Sequence, residues 1–404
     1  MTETQQFTNK TVLISGASIA GPALAYWLAR YGFTVTIVEQ SQTLREGGYK
    51  VDIRGVAMDV VERMGLMPQL RQASTDMRGG AWVDASGKAL ATLGPELIGL
   101  RSPGDDEVLR GDLARILFDA TKGDVEYLFG DSITDMAQHA DGVTVGFRNA
   151  APRVFDLVIG ADGMHSAVRR IAFGPEEQFA RHTGMAVCAF SVPNDLGLDR
   201  WELVHPTPGK VVQLYSTQHT TAKAQFIFPA PDQLPDRRDI AAQQRLVMET
   251  FADAGWEAPN LLRAMPESPD FYFDTVSQIH LDHWWDNRVA VVGDAAYCPS
   301  PLSGQGTSMA LVGAYVLAGE LRAARGDHDA AFPRYQEAMS DYISRNQTLG
   351  WSNATQMVAT DRRAIRTQTT MLRMLRHMPW KGLALRPIIK PIERAANAIT
   401  LADY

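Results

Sequence analysis

An α/β fold built around a parallel sheet is predicted by three stretches of common design. Each holds a short apolar run that reads as a strand buried on both faces: Val12-Leu13-Ile14, Leu157-Val158-Ile159 and Val289-Ala290-Val291-Val292. Each run ends in a glycine-bearing turn and continues into a helix: Gly16-Ala-Ser18-Ile-Ala-Gly21, Gly160-Ala-Asp162-Gly163 and Gly293-Asp294. Open α/β sheets bind their ligands at that end of their strands.

The first stretch fits a dinucleotide-binding βαβ unit. Gly16 and Gly21 let the chain turn sharply and let helix pack on strand, and Pro22 suits the first helical turn, where its missing N–H costs nothing. The helix N-terminus, with free N–H groups and partial positive charge, is aimed at a pyrophosphate. Glu39 closes the second strand 23 residues after Gly16, the place of an acid that binds a ribose hydroxyl. An acid there favours FAD or NAD(H) over NADP(H). Ser18 stands where GxGxxG has its middle glycine; it is small and can donate its hydroxyl.

In the second stretch, Asp162 sits in the turn and has two readings, lining a cofactor channel or capping a helix that begins near Ser166. In the third, Asp294 is placed for a polyol or ribose hydroxyl and Pro301 stiffens the loop. Gly304 and Gly306 clear the backbone for a flat ring at the start of a helix running to about Leu321.

Composition sets the limits. The 404 residues, 45% hydrophobic and 21% charged, predict a globular protein of two or three domains, some of them interleaved. A net charge of −7 argues against nucleic acid as a partner. The N-terminus is polar, without a signal peptide, and no apolar run is long enough to predict a transmembrane segment. Cys188 and Cys298 are far apart, which argues against a disulfide scaffold, a zinc site or a dithiol and for a reducing, cytoplasmic setting. From Asp341 to Tyr404, ten Lys/Arg oppose four acids, so this segment carries +6 and the rest −13. Met371, Leu375 and Met378 recur there at helical spacing, predicting an amphipathic helix with a basic outer face. Such a helix either meets a membrane surface or partner, or docks on the acidic body.

Between the motifs, Ala81 to Thr92 reads as a hairpin turning at Ser86-Gly87. Met185–Val192, Val211–Ser216 and Ala224–Phe228 read as strands broken by Pro206, Pro208 and Gly209, and Ile240 to Ala254 as a helix.

The three motifs in this order resemble those of the group A flavin-dependent aromatic hydroxylases, the para-hydroxybenzoate hydroxylase fold. The stretch Leu44-Arg45-Glu-Gly47-Gly48-Tyr-Lys-Val-Asp52-Ile-Arg54-Gly55 resembles the subgroup of tetracycline-inactivating monooxygenases. The resemblance implies a Rossmann-like FAD-binding domain of the GR2 type from residues 8–70, 100–175 and 280–335. It is interleaved with a β-sheet substrate domain from 71–99 and 176–279 and followed by a C-terminal helical segment, 336–404. It implies that Glu39 binds the adenosine ribose of FAD, that Asp52 contacts the flavin, and that Arg45 helps hold NADPH. Arg110, heading a helix in Val108-Leu-Arg110-Gly-Asp-Leu113, would meet the pyrophosphate. Asp162 would help place FAD and NADPH, Asp294 would bind the ribityl chain, and Pro301, Gly304, Gln305 and Gly306 would surround the pyrimidine side of the ring. Arg54 is a candidate substrate contact or merely a solvated strand end.

Two letters depart from the family pattern beside the ring, Tyr297 for His and Ser308 for Asn. The activity implied is that of a monooxygenase consuming NADPH or NADH, in which one atom of O2 passes through a C4a-hydroperoxyflavin to an aromatic or polycyclic small molecule. The alternative is a reductase or epoxidase of the same fold. The chemistry belongs to the cofactor, so no catalytic residue or metal is assigned to the protein. The substrate cavity is expected to be apolar and aromatic-lined, with His182, His205 and His219 structural. The chain is expected to be a monomer or dimer.

Overall fold

In a computed structural model the described residues are 7–45, 48–95, 97–217, 221–300, 303–356, 358–378 and 381–404. The three apolar runs become neighbouring strands of one six-stranded sheet. Thr11–Ser15 pairs in parallel with Thr34–Glu39 on one side and Leu157–Gly160 on the other. Val289–Val291 and Glu126–Phe129 extend the sheet in parallel, and Trp285–Asp286 adds an antiparallel edge. Val12, Leu13 and Ile14 have no solvent exposure, as strands covered on both faces require. Helices Ala20–Arg30 and Gly306–Ala323 pack on the sheet and each other, sharing one core with it.

A seven-stranded sheet stands opposite. Its spatial order is Tyr272–Ile279, Ala180–Pro193, Thr221–Pro229, Lys210–Ser216, Trp201–Thr207, Gly79–Val83 and Ala89–Leu93. The predicted hairpin is its outer edge: the Asp84 carboxylate accepts from the Ser86 and Lys88 amides and ties the turn. The sheet has its own core on one face, built from Phe190, Phe226, Phe228 and Phe251. Helix Ile240–Thr250 covers that face, ending four residues earlier than its sequence pattern predicts. Pro206 lies inside a strand rather than breaking one. A two-stranded ribbon, Lys50–Ile53 with Asp106–Leu109, lies beside the cleft described below.

The C-terminal segment is three helices, not one: His328–Gln356, Arg362–His377 and Lys381–Ala396. Asp361 caps the second, its carboxylate accepting from the Arg363 and Ala364 amides. Of the predicted apolar stripe only Leu375 is buried, and Met371 is exposed. Among the described residues no helix is long and apolar enough to cross a membrane.

Candidate active site

A cleft of about 1020 Å³ runs from the first glycine turn to the inner face of the seven-stranded sheet. At its dinucleotide end the geometry comes from backbone. Gly16 has φ +106°, and a Cβ there would sit 2.5 Å from the Ala161 carbonyl oxygen. A Cβ on Gly21 would sit 1.9 Å from the Gly16 carbonyl oxygen, so helix and turn meet at a distance only glycine allows. Residues 16–20 line the cleft, placing the helix N-terminus against it.

Glu39 closes over this turn. Its carboxylate accepts from the Ala17 amide at 2.9 Å and the Ser41 amide at 2.9 Å, while Arg45 approaches at 3.9 Å. Arg45 is 57% exposed at the rim, its Nε donating to Ser41. Arg110 reaches across and donates to the Ser18 hydroxyl at 2.8 Å, so the serine that replaces a glycine is what anchors this guanidinium.

Asp162 satisfies both of its readings. It lines the cleft, and its carboxylate accepts from the Ala167 and Val168 amides while the Ser166 hydroxyl donates to it. Ser166 caps the same helix by accepting from the Arg169 amide. Burial raises the Asp162 carboxyl above its usual range. Asp294 also lines the cleft, and burial raises it despite the pull of Arg110.

Asp52, Arg54 and the loop before the long helix form the middle of the cleft. Arg54 is buried, neither a solvated strand end nor a free side chain. It donates to Asp52 at 2.9 Å and to the carbonyls of Gly99 and Leu100. Its own amide donates to the Ser308 hydroxyl at 3.0 Å, which gives that departure from the family pattern a structural task. Tyr297, the other departure, is turned into the core: it accepts from Tyr335 at 3.0 Å and packs against Gly313 and Trp284. Pro301 lies outside the described residues, as do Gly47 of the sequence stretch and His219.

A flavin dinucleotide is tested against atoms the fold leaves unpaired. Among the described residues Asp52 Oδ1, in the cleft wall, is buried without a hydrogen-bond partner; the Gln305 carboxamide is likewise unpaired, but Gln305 is fully buried and is not part of the cleft lining. A Cβ at Gly304 would stand 3.2 Å from Asp52 Oδ2, so glycine keeps that gap open. Buried donors and acceptors left unmade cost about 1–3 kcal/mol each, a cost a ligand rich in imide and carbonyl groups removes. The residues fit the group.

The sheet end has the expected aromatic and apolar lining, with Val187 and Leu97 among it, and adds polar side chains. Glu202, Gln213 and Gln225 line it together with Trp82, Tyr215 and Tyr272. Gln213 and Gln225 are paired cross-strand, and Gln213 donates to Glu202 at 3.0 Å. Lys50, which sequence reasoning passed over, donates to Glu202 and lies 3.5 Å from Glu107. Arg101 pairs with Glu107 at 3.0 Å, and Thr75 donates to it at 2.6 Å. Burial alone would lower the Lys50 pKa, but Glu202 and Glu107 outweigh it and hold the ammonium above the usual lysine range. Burial would raise Glu107; Lys50 and Arg101 keep it low instead.

His165 was also missed, though it lies three residues after Asp162. It lines the cleft, with Nδ1 2.8 Å from Glu176 and Nε2 2.9 Å from Asp274. Burial disfavours its charge, and the two carboxylates more than restore it. His182 and His205 hold Ser277 and the Val83 carbonyl, as structural histidines do.

The FAD binding domain family matches residues 9–337. The chain belongs to this family. It is similar to a flavin-dependent monooxygenase of Legionella longbeachae, 43% identical over 343 residues that cover 85% of this chain and 88% of that one. An uncharacterized protein of Mycobacterium tuberculosis is 48% identical over 348 residues, 84% of this chain and 92% of its own. Among solved structures, the tetracycline destructase Tet(55) superposes with a TM-score of 0.85 at 38% identity, covering 99% of this chain and 100% of that one. The protein is an FAD-dependent monooxygenase, an oxidoreductase of the para-hydroxybenzoate hydroxylase type.

Proposed function

We propose that this monooxygenase uses NADPH or NADH and O2 to place one oxygen atom in a polycyclic or aromatic small molecule. The observation that carries the reading is the continuity of the cleft from the Gly16 turn to the sheet face bearing Glu202, Gln213 and Gln225. A cofactor and a flat substrate with polar edges can lie in it end to end.

In this reading the turn at Gly16, Ser18 and Gly21 holds the pyrophosphate, aided by Arg110, and Glu39 takes the adenosine ribose. Asp294 binds the ribityl chain. Asp52, Gly304, Gln305 and Gly306 meet the pyrimidine edge of the ring, and Asp162 fixes the turn alongside. Arg45, exposed at the rim, steadies the nicotinamide nucleotide during its visit. Arg54 acts on the substrate only indirectly, by holding Asp52 and the Gly99-Leu100 loop. The chemistry a bound flavin supplies is reduction by the nicotinamide and activation of O2. The protein's residues orient the substrate: Trp82, Tyr215 and Tyr272 offer ring faces, while Gln213 and Gln225 offer amide donors and acceptors.

The test is a panel of aromatic and polycyclic phenols headed by the tetracyclines, given to the flavin-loaded protein with NADPH and with NADH in air. The expected result is substrate-stimulated O2 uptake and a product one oxygen atom heavier, with the label from 18O2. Nicotinamide consumption that gives a product two hydrogens heavier, with no oxygen incorporated and no H2O2 released, overturns aromatic oxygenation in favour of reduction.

A further inference from the structure

We infer that the two C-terminal helices Arg362–His377 and Lys381–Ala396 dock the protein on an anionic lipid surface. Their outward faces mix cations with large apolar side chains. Of the nine large apolar side chains that the described residues expose, four lie here: Met371, Met374, Leu383 and Ile388. On the first helix Arg363, Arg366, Thr370 and Met374 follow one another at three- and four-residue steps, all exposed. On the second, Leu383, Arg386, Lys390 and Arg394 do the same. That is the pattern of a helix lying in an interface, apolar tips down and long basic stems reaching to headgroups.

Charge is the independent observation. The segment is +6 on a body of −13, so docking on that body would pair its cations with carboxylates. Arg345 pairs with Asp341 within the segment, but six cations of the two helices are not paired. Arg362, Arg363, Arg366, Arg386, Lys390 and Arg394 have no carboxylate within ion-pair distance among the described residues. A body of −13 is repelled by an anionic bilayer while this segment of +6 is attracted, so the contact is oriented. A second copy meeting this face with its own would match the apolar side chains but set the unpaired cations against one another. The remaining exposed large apolar side chains are Trp351 on the preceding helix and Val154, Leu196, Leu234 and Ile240 elsewhere in the chain. Docking also has a consequence for the site: Pro387, Ile388 and Pro391 are exposed and line the cleft, so its opening would face the lipid.

The full flavin-loaded chain is floated with phosphatidylcholine vesicles and with the same vesicles containing phosphatidylglycerol. We expect at least ~10-fold tighter binding to the anionic vesicles, lost when salt rises from about 0.05 M to about 0.5 M. The charge-reversed variant Arg363→Glu/Arg366→Glu/Lys390→Glu should lose that preference, and Met374→Ser/Leu383→Ser should weaken binding several-fold. Both variants should keep the wild-type flavin content, which shows that they fold. Equal binding to both vesicles, no binding, or unchanged binding by the charge-reversed variant overturns the inference. So does a dimer in solution that the same charge reversal dissociates, because the face then belongs to a second copy.

Discussion

At the dinucleotide end of the cleft the contacts come from backbone amides and from glycines that bring chain against chain, whereas at the sheet end they come from side chains on strands far apart in sequence. Gly16, Gly21 and Glu39 lie within one βαβ unit. Lys50 meets Glu202 across 152 positions, and Tyr215, whose hydroxyl accepts from the Lys50 amide, stands 165 positions on. The first end is fixed by local chain geometry and tolerates little change of residue type. The second is an electrostatic lock, satisfied only when the whole substrate sheet is in place. Cofactor binding and substrate choice therefore rest on different physics and should fail separately.

The largest expected effect tests the lock. Lys50→Met leaves Glu202 buried without its cation, while Glu107 keeps Arg101, and removing one partner of a buried pair costs about 3–5 kcal/mol. Urea unfolding should show that loss, and Lys50→Met/Glu202→Gln should recover part of it because one uncompensated charge is gone. If Lys50→Met is neutral, the network is not dry and the contrast between the two ends fails.

Gly16→Ala tests the other end. It adds a Cβ 2.5 Å from the Ala161 carbonyl at a φ of +106°, so strain and overlap together should cost about 2–5 kcal/mol. The signature distinguishing it from Lys50→Met is loss of flavin absorbance per protein in the fraction that remains folded. Equal loss of flavin in both variants would mean that the two ends are one cooperative unit.

A smaller effect comes from His165, which sits between the two ends. Its pKa is raised in the fold by Asp274 and Glu176, so protonation favours the native state. That contribution is fully present below the unfolded histidine value of about 6.5 and is lost as pH rises through the higher folded value. His165→Gln should therefore cost about 1–2 kcal/mol in acid and progressively less in alkali. A pH-independent difference in melting would show that the imidazole is held by packing rather than by charge.

How much of this was legible in the sequence follows the same divide. The six-stranded sheet and the glycine turns were readable because strand, turn and helix follow one another in the chain. The seven-stranded sheet was readable as a set of strands, but not its polar inner face: Gln213 and Gln225 face each other only once register is set. Lys50 was in plain view beside Asp52, yet its partners lie on other sheets and strands. Tyr297 was placed beside the ring by the family resemblance, whereas the short helix Asp294–Tyr297 turns its ring inward to Tyr335. The C-terminal segment was read as one helix from a single apolar stripe, Met371, Leu375 and Met378, which belongs to its middle helix alone; Asp361, a capping residue in the sequence, marked a break.

The smallest expected effect is the most selective. Arg45 is more than half exposed and 3.9 Å from Glu39, so the ion pair is screened by water and worth less than about 0.5 kcal/mol. Arg45→Ala should leave unfolding and flavin content unchanged. If the arginine steadies the visiting nicotinamide nucleotide, its KM should rise several-fold while kcat with saturating nucleotide holds, because a rim contact made equally in ground and transition states affects binding alone. A lowered flavin content would instead place Arg45 with Glu39 in the cofactor bed. An unchanged KM would leave it as a rim ion pair with no part in the reaction. The outcome decides whether the cleft's third occupant enters at the Glu39 rim or from the sheet end.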